Sequence, residues 1–239
     1  MLGVTVDGDV AILELQREDR RNALNLELCQ AIHAVADDAV AAGSRVIVIT
    51  GKGTAFCSGA DLGGVYGPEF LEALYGMLHH LAKLPVPIIA AVNGPAIGAG
   101  TQLAMACDLR VADKASKFAV PTARNGMAVD AWTIRTLAKL AGDGTARRLM
   151  IAAEALDRDA ALSCGLADRA GTLADAVAWA HQIALLAPLA LAHNKLVLNS
   201  SHKDDAVIDA SFAAVWASDD VREAAIARDE KRPPVFGGR

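Results

Sequence analysis

The sequence predicts a layered α/β fold, and three observations carry the prediction. Short apolar runs at 46–50 and 86–92, rich in Val, Ile and Ala, read as buried strands. The order strand, helix, strand across residues 10–50 argues against an all-β sandwich. Two corners built from small residues, at 55–62 and 93–103, each follow one of those strands. The chain has 239 residues, 53% of them apolar, enough to bury a sizeable core. It divides into a core of residues 1–171 and a helical C-terminal region of residues 172–239.

Taken in order, residues 4–6 and 10–15 form a hairpin around Asp7-Gly8-Asp9. Residues 16–22 are a polar loop. A helix starts at Asn25, with Leu28, Ile32 and Val35 at helical spacing, and Gly43 stops it. The strand at 46–50 turns at 51–53 into the first corner. After the glycine-rich stretch 63–68, a helix over 69–84 carries Leu71, Leu74, Leu78 and Leu81 as its apolar stripe. The strand at 86–92, the second corner and a small-residue helix over 103–107 follow. Residues 108–112 and 117–121 are extended, and 122–130 are irregular. Helices come next at 131–141 and at 146–153, the latter with Thr145 as its cap, then one capped by Asp157 and ended by Gly165. No strand is predicted after Leu166. Helices at 173–186, 188–199, 204–217 and 219–228 lead to an extended tail.

The composition narrows the function. The net charge of −5, the lack of a long basic run and only 4% aromatic residues disfavour nucleic acid as a partner. No cationic leader with a cleavage site and no bilayer-length apolar span is seen, so a cytoplasmic protein is expected. Cys29, Cys57, Cys107 and Cys164 follow no CxxC pattern and read as small core residues. His79 and His80 have no cysteine or carboxylate at ligand spacing, so no metal is expected. Ala-rich helix faces point to an oligomer.

The second corner, Asn93-Gly94-Pro95-Ala96-Ile97-Gly98-Ala99-Gly100, places several free N–H groups between a strand and a helix. Such a site suits an anion, or an oxygen that becomes anionic. Residues 51–62 and 93–108 together resemble the two signatures of the crotonase, or enoyl-CoA hydratase/isomerase, superfamily. Arg21-Asn22-Ala23-Leu24-Asn25 resembles its N-terminal loop. Residues 212–236, with Glu230-Lys231-Arg232-Pro233, are similar to its C-terminal helix and tail. The resemblance covers nearly the whole chain. It implies a spiral of ββα turns and a helical trimerisation region, hence trimers or hexamers. It implies an acyl-CoA thioester as ligand, with coenzyme A present as part of that ligand and no separate cofactor. The backbone N–H groups of Ala60 and Ala99 would polarise the thioester carbonyl. The backbone around Asn25, Ala60, Asp61 and Leu62 would hold the CoA moiety, and Lys231 would reach a phosphate.

Two positions depart from the family's hydratases, which carry glutamates where this chain has Gln102 and Thr122. An amide can hold a water but cannot act as a carboxylate base. Losing one positioned acid–base group costs ~10²–10⁴ in rate. Asp130 stands where some family members carry an active-site aspartate, and it also suits the cap of the helix at 131. Glu69 and Glu72 either enter the site or face solvent, and Arg124 either pairs with a carboxylate or lies at the rim. Tyr66, Phe70, Tyr75 and Met77 are candidates for one wall of an acyl tunnel, with Trp132, Ile134 and Leu137 opposite. The alternative is that all of these are core. The leading reading is a fatty acyl-CoA-binding protein of lipid metabolism with weak or absent hydratase activity. The alternatives are an active hydratase, isomerase or related acyl-CoA enzyme using Asp130, and an assembly subunit that binds a protein partner.

Overall fold

The computed structural model describes residues 1–61, 63, 67–200 and 205–239. β1 (Leu2–Asp7) and β2 (Val10–Leu15) form the expected antiparallel hairpin, with Asp7 opposite Val10. α1 (Leu26–Ala41) is capped by Asn25, whose side chain accepts from the Leu28 N–H at 3.0 Å. β3 (Val46–Gly51) is buried on both faces, as its continuous apolar run requires. α2 (Pro68–Leu81) leads to β4 (Ile88–Val92), β5 (Pro95–Ile97) and α3 (Ala99–Ala106). Then come β6 (Leu109–Ala112), β7 (Lys117–Ala119), α4 (Ala131–Ala141), α5 (Asp143–Met150) and β8 (Ala155–Asp157). α6 (Arg158–Cys164), β9 (Arg169–Ala170), α7 (Leu173–Ala184), α8 (Pro188–Asn199), α9 (Asp205–Ala217) and α10 (Asp219–Asp229) complete the order.

The strands form two sheets, β1-β2-β3-β4-β6-β9 and β5-β7-β8. From β2 to β9 the larger sheet is parallel. One core fills the space between this sheet and α1, α2 and α3, with Leu13, Ile49, Leu78 and Leu103 fully buried. On the sheet's other face α7 lays Ala176, Ala180 and Ile183 against Val46, Val48 and Ile89. Lys195 of α8 is 5% exposed and pairs with Asp108 at 2.8 Å, which ties the C-terminal helices to the end of β4.

Several elements differ from the sequence reading. α3 starts at Ala99, four residues before the expected 103, because Gly98 at φ +55° turns the chain directly from β5 into the helix. Gly142, at φ +79°, both ends α4 and precedes α5. Thr145 therefore lies inside α5 and is not its cap. β9 lies beyond Leu166, where no strand was expected; like β5 and β8 it is too short to leave a periodic signal. On α2, Leu74, Leu78 and Leu81 are buried as the stripe requires and Phe70 and Met77 join them, but Leu71 is 43% exposed.

Candidate active site

β3 and β4 are parallel neighbours, so the corners that follow them emerge side by side. Backbone pairing then locks the corners together. The Cys57 N–H donates to Pro95 O and the Ile97 N–H to Cys57 O, at 3.1 and 3.0 Å. Asn93 clamps the same junction: its Nδ2 donates to Gly51 O and Gly53 O at 2.7 and 3.0 Å. Asn22, fully buried, donates to Lys52 O and Ala55 O at 2.9 and 2.8 Å. The contact is close enough to demand glycine. A Cβ on Gly100 would meet Cys57 O at 2.1 Å, and one on Gly59, at φ +108°, would meet Ile97 O at 2.8 Å.

Ala60 and Ala99 each follow a positive-φ glycine, Gly59 and Gly98, and both line one cavity of about 470 Å³. Among the described residues neither backbone N–H has an acceptor. Ala60 is held by its neighbours: Leu24 N–H donates to Gly59 O at 2.8 Å, and Asp61 N–H to Leu24 O at 2.7 Å. Ala99 is the first residue of α3, so its N–H is free by helix geometry. One cavity of ligand size is therefore lined by two residues whose main-chain N–H groups have no acceptor among the described residues.

Gln102 and Thr122 also line the cavity, as the resemblance implies. Gln102 is 2% exposed, and its Nε2 donates to Thr133 Oγ1 at 2.8 Å. The Thr133 hydroxyl in turn donates to Asp130 Oδ1 at 2.6 Å. With that proton committed to Asp130, Thr133 can only accept from residue 102. An amide supplies the donor, whereas an ionised glutamate would leave two carboxylates bracketing one proton. Asp130 also caps α4, accepting from the Thr133 N–H at 2.9 Å, and its Oδ2 meets His79 Nε2 at 2.9 Å. It is absent from the cavity lining.

The remaining predicted residues are sorted as follows. Asp61 lines the cavity, but its carboxylate is bonded to Arg17 at 3.0 Å, which holds it below the usual carboxylate range. Asn25 is taken up by the α1 cap and does not line the cavity. Lys231 lies exposed beyond α10 and does not line this cavity. Leu62 and Tyr66 lie outside the described residues. Glu69 and Glu72 face solvent, and Arg124 donates to Ala153 O at 2.9 Å. Phe70, Leu71, Leu74 and Tyr75 of α2 form one cavity wall. The opposite wall is not α4 as expected: Leu137 is core, Ile134 is exposed, and Met127, Ala128 and Val129 take their place. Met77 is core as well. Cys57 sits in the first corner, yet burial pushes its thiol up to about 12, so it is no nucleophile.

The sequence profile described as enoyl-CoA hydratase/isomerase matches residues 5–239. The chain belongs to the enoyl-CoA hydratase/isomerase family. The "Probable enoyl-CoA hydratase echA6" of Mycobacterium tuberculosis is 47% identical over 246 residues, covering 100% of both chains. The crotonyl-CoA hydratase of Syntrophomonas wolfei is 30% identical over 247 residues, covering 95% of this chain and 94% of its own. The crystal structure of an enoyl-CoA hydratase from Bacillus anthracis superposes with a TM-score of 0.91 at 26% identity, covering 100% of this chain and 99% of that one. The fold is thus the crotonase fold of this family. No single helix among the described residues is long and apolar enough to cross a membrane.

The sequence reading does not single out Thr133, and it weighs His79 only as a metal ligand, not as a partner of Asp130. Asn22 and Asn93 sat inside motifs that were read for their backbone. Nothing in the local pattern pointed to Thr133, which acts only through partners 31 residues before it and 3 residues before it in the chain.

Proposed function

We propose that this family member binds a fatty acyl-CoA thioester in the cavity and hydrates enoyl-CoA weakly or not at all. The Ala60 and Ala99 amides serve as the oxyanion hole, and the α2 wall encloses the acyl chain. Polarising the thioester carbonyl stabilises an enolate, but hydration also needs groups that activate water and move a proton. The observation that carries the reading is Gln102. It occupies the wall beside the two amides and is bound to Thr133 as a donor. Among the described residues, the only carboxylates lining the cavity are Asp19, whose side chain is 82% exposed, and Asp61, which is paired with Arg17.

Asp130 is the alternative base. Its oxygens already accept from two Thr133 groups and contact His79, which favours a structural role in this reading. Arg20 and Arg21 line the cavity and supply cations for the CoA phosphates. The oligomer is a trimer or hexamer in the cytoplasm. Support for it comes from α9, which buries no residue in the single chain and exposes Val207, Phe212 and Trp216. Lys231 then reaches a phosphate of a neighbouring subunit's ligand. Ligand delivery to a protein partner in lipid metabolism is part of the same proposal.

Calorimetric titration with a saturated long-chain acyl-CoA, beside a turnover assay on the matching 2-enoyl-CoA, tests this. The expected result is one ligand per chain, with turnover at least ~10²-fold below that of a two-glutamate relative. Full turnover that disappears on replacing Gly98 would refute it.

A further inference from the structure

His33 and Asp37 stand one helical turn apart on α1, and His80 lies near the end of α2, the helix that packs against α1. The two imidazoles stack with centroids 3.9 Å apart and planes 11° from parallel. Both point Nε2 at the same carboxylate. His80 Nε2 is 2.7 Å from Asp37 Oδ1, and His33 Nε2 is 3.8 Å from Asp37 Oδ2. One ligand atom from each side chain lies within 4.8 Å of the other two. We propose that His33, Asp37 and His80 form a binding site for a divalent transition-metal cation of the zinc type.

The donor set, two imidazoles and a carboxylate meeting at one point, is that of a zinc-type site. Zinc binds imidazole and carboxylate at about 2.0–2.2 Å, so its ligand atoms sit about 3.3–3.6 Å apart. The observed separations of 2.7 and 3.8 Å lie on either side of that range, so binding lengthens the first, shortens the second and tilts the stacked rings until their Nε2 lone pairs converge. Two nitrogen donors with one carboxylate suit Zn(II), Co(II) or Ni(II) better than the all-oxygen preference of Mg(II) or Ca(II). Partial exposure, 41%, 52% and 29% for His33, Asp37 and His80, leaves water free to complete the coordination. The cation replaces the His80 Nε2–H···Asp37 bond, the imidazole proton moving to Nδ1, so that both side chains turn a lone pair to the ion. The bound ion ties α1 to α2, the helix whose Phe70, Leu71 and Leu74 wall the cavity. The inference is independent of the reading of the cavity's chemistry. The sequence offers His80 no such neighbour because Asp37 lies 43 residues before it in the chain.

The test uses the full chain without an affinity tag, stripped of metal by a chelator. Zn(II) is titrated calorimetrically, and Co(II) is followed by its visible absorption. One ion per chain is expected, and free Zn(II) at about 100 times the dissociation constant should raise the melting temperature by roughly 5–10 °C. H33Q and H80Q should each weaken Zn(II) at least tenfold while leaving the circular dichroism unchanged, and Mg(II) should not compete. Absence of saturable Zn(II) binding, parental affinity retained in both variants, or displacement by Mg(II) would overturn the proposal.

Discussion

Replacing Thr133 with Val isolates the hydrogen-bond chain beneath the cavity. The side chain is fully buried and nearly isosteric with Val, so packing changes little. What is lost is a donor to Asp130 at 2.6 Å and an acceptor for Gln102 at 2.8 Å. The cap on α4 survives, because the Thr133 N–H still donates to Asp130. A buried polar group left without its partner costs about 1–3 kcal/mol, and a bond to a charged acceptor contributes about 1.5–3 kcal/mol. We expect T133V to lose about 3 kcal/mol, which for a chain of this length lowers the melting temperature by roughly 6–12 °C. The double variant Q102L/T133V removes both partners and should recover a large part of that loss. Urea and thermal unfolding of the two single variants and the double variant complete the cycle. A T133V protein within about 0.5 kcal/mol of the parent, or strictly additive losses, would refute the network.

Three further outcomes follow from the same geometry. L71E places a charge on the exposed lip of the α2 wall; it should weaken a long-chain acyl-CoA about tenfold or more, leave acetyl-CoA unaffected and change stability little, as calorimetry with both ligands can establish. G59A combines a φ of +108° with a contact to Ile97 O; it should destabilise by about 1–3 kcal/mol and weaken acyl-CoA binding, and an unchanged melting temperature would contradict the crowding at that corner. K195M strands the Asp108 carboxylate and should cost about 3 kcal/mol at neutral pH, measured by urea unfolding. Burial holds the Asp108 carboxyl above its usual range in the folded state, so its protonated form favours folding below the unfolded pKa, and that benefit is lost as pH rises through the folded value. The K195M deficit should therefore shrink as pH falls, and a deficit that grows on acidification would refute this assignment.

The sequence exposed most of what depends on local pattern. The buried run at β3, the helix start at Asn25 and the glycine that ends α6 each announce themselves within a few residues. The corner residues Ala60 and Ala99 were placed by motif, and the parallel pairing of β3 with β4 explains why two distant motifs meet in one cavity. What escaped depends on tertiary partners. His79 and His80 looked isolated because Asp130 and Asp37 lie 51 and 43 residues away. Leu71 looked like core because helical periodicity cannot distinguish packing against the interior from lining an open cavity. β9 escaped because two residues carry no period.

The decisive measurement is a crystal structure with a saturated long-chain acyl-CoA bound. We expect the thioester oxygen within about 3.1 Å of both the Ala60 and Ala99 nitrogens, Gln102 alongside the acyl carbons, and no carboxylate oxygen within about 3.2 Å of the α or β carbon. Amides that diverge from the thioester, or Asp130 swung free of Thr133 to stand over either carbon, would contradict the account.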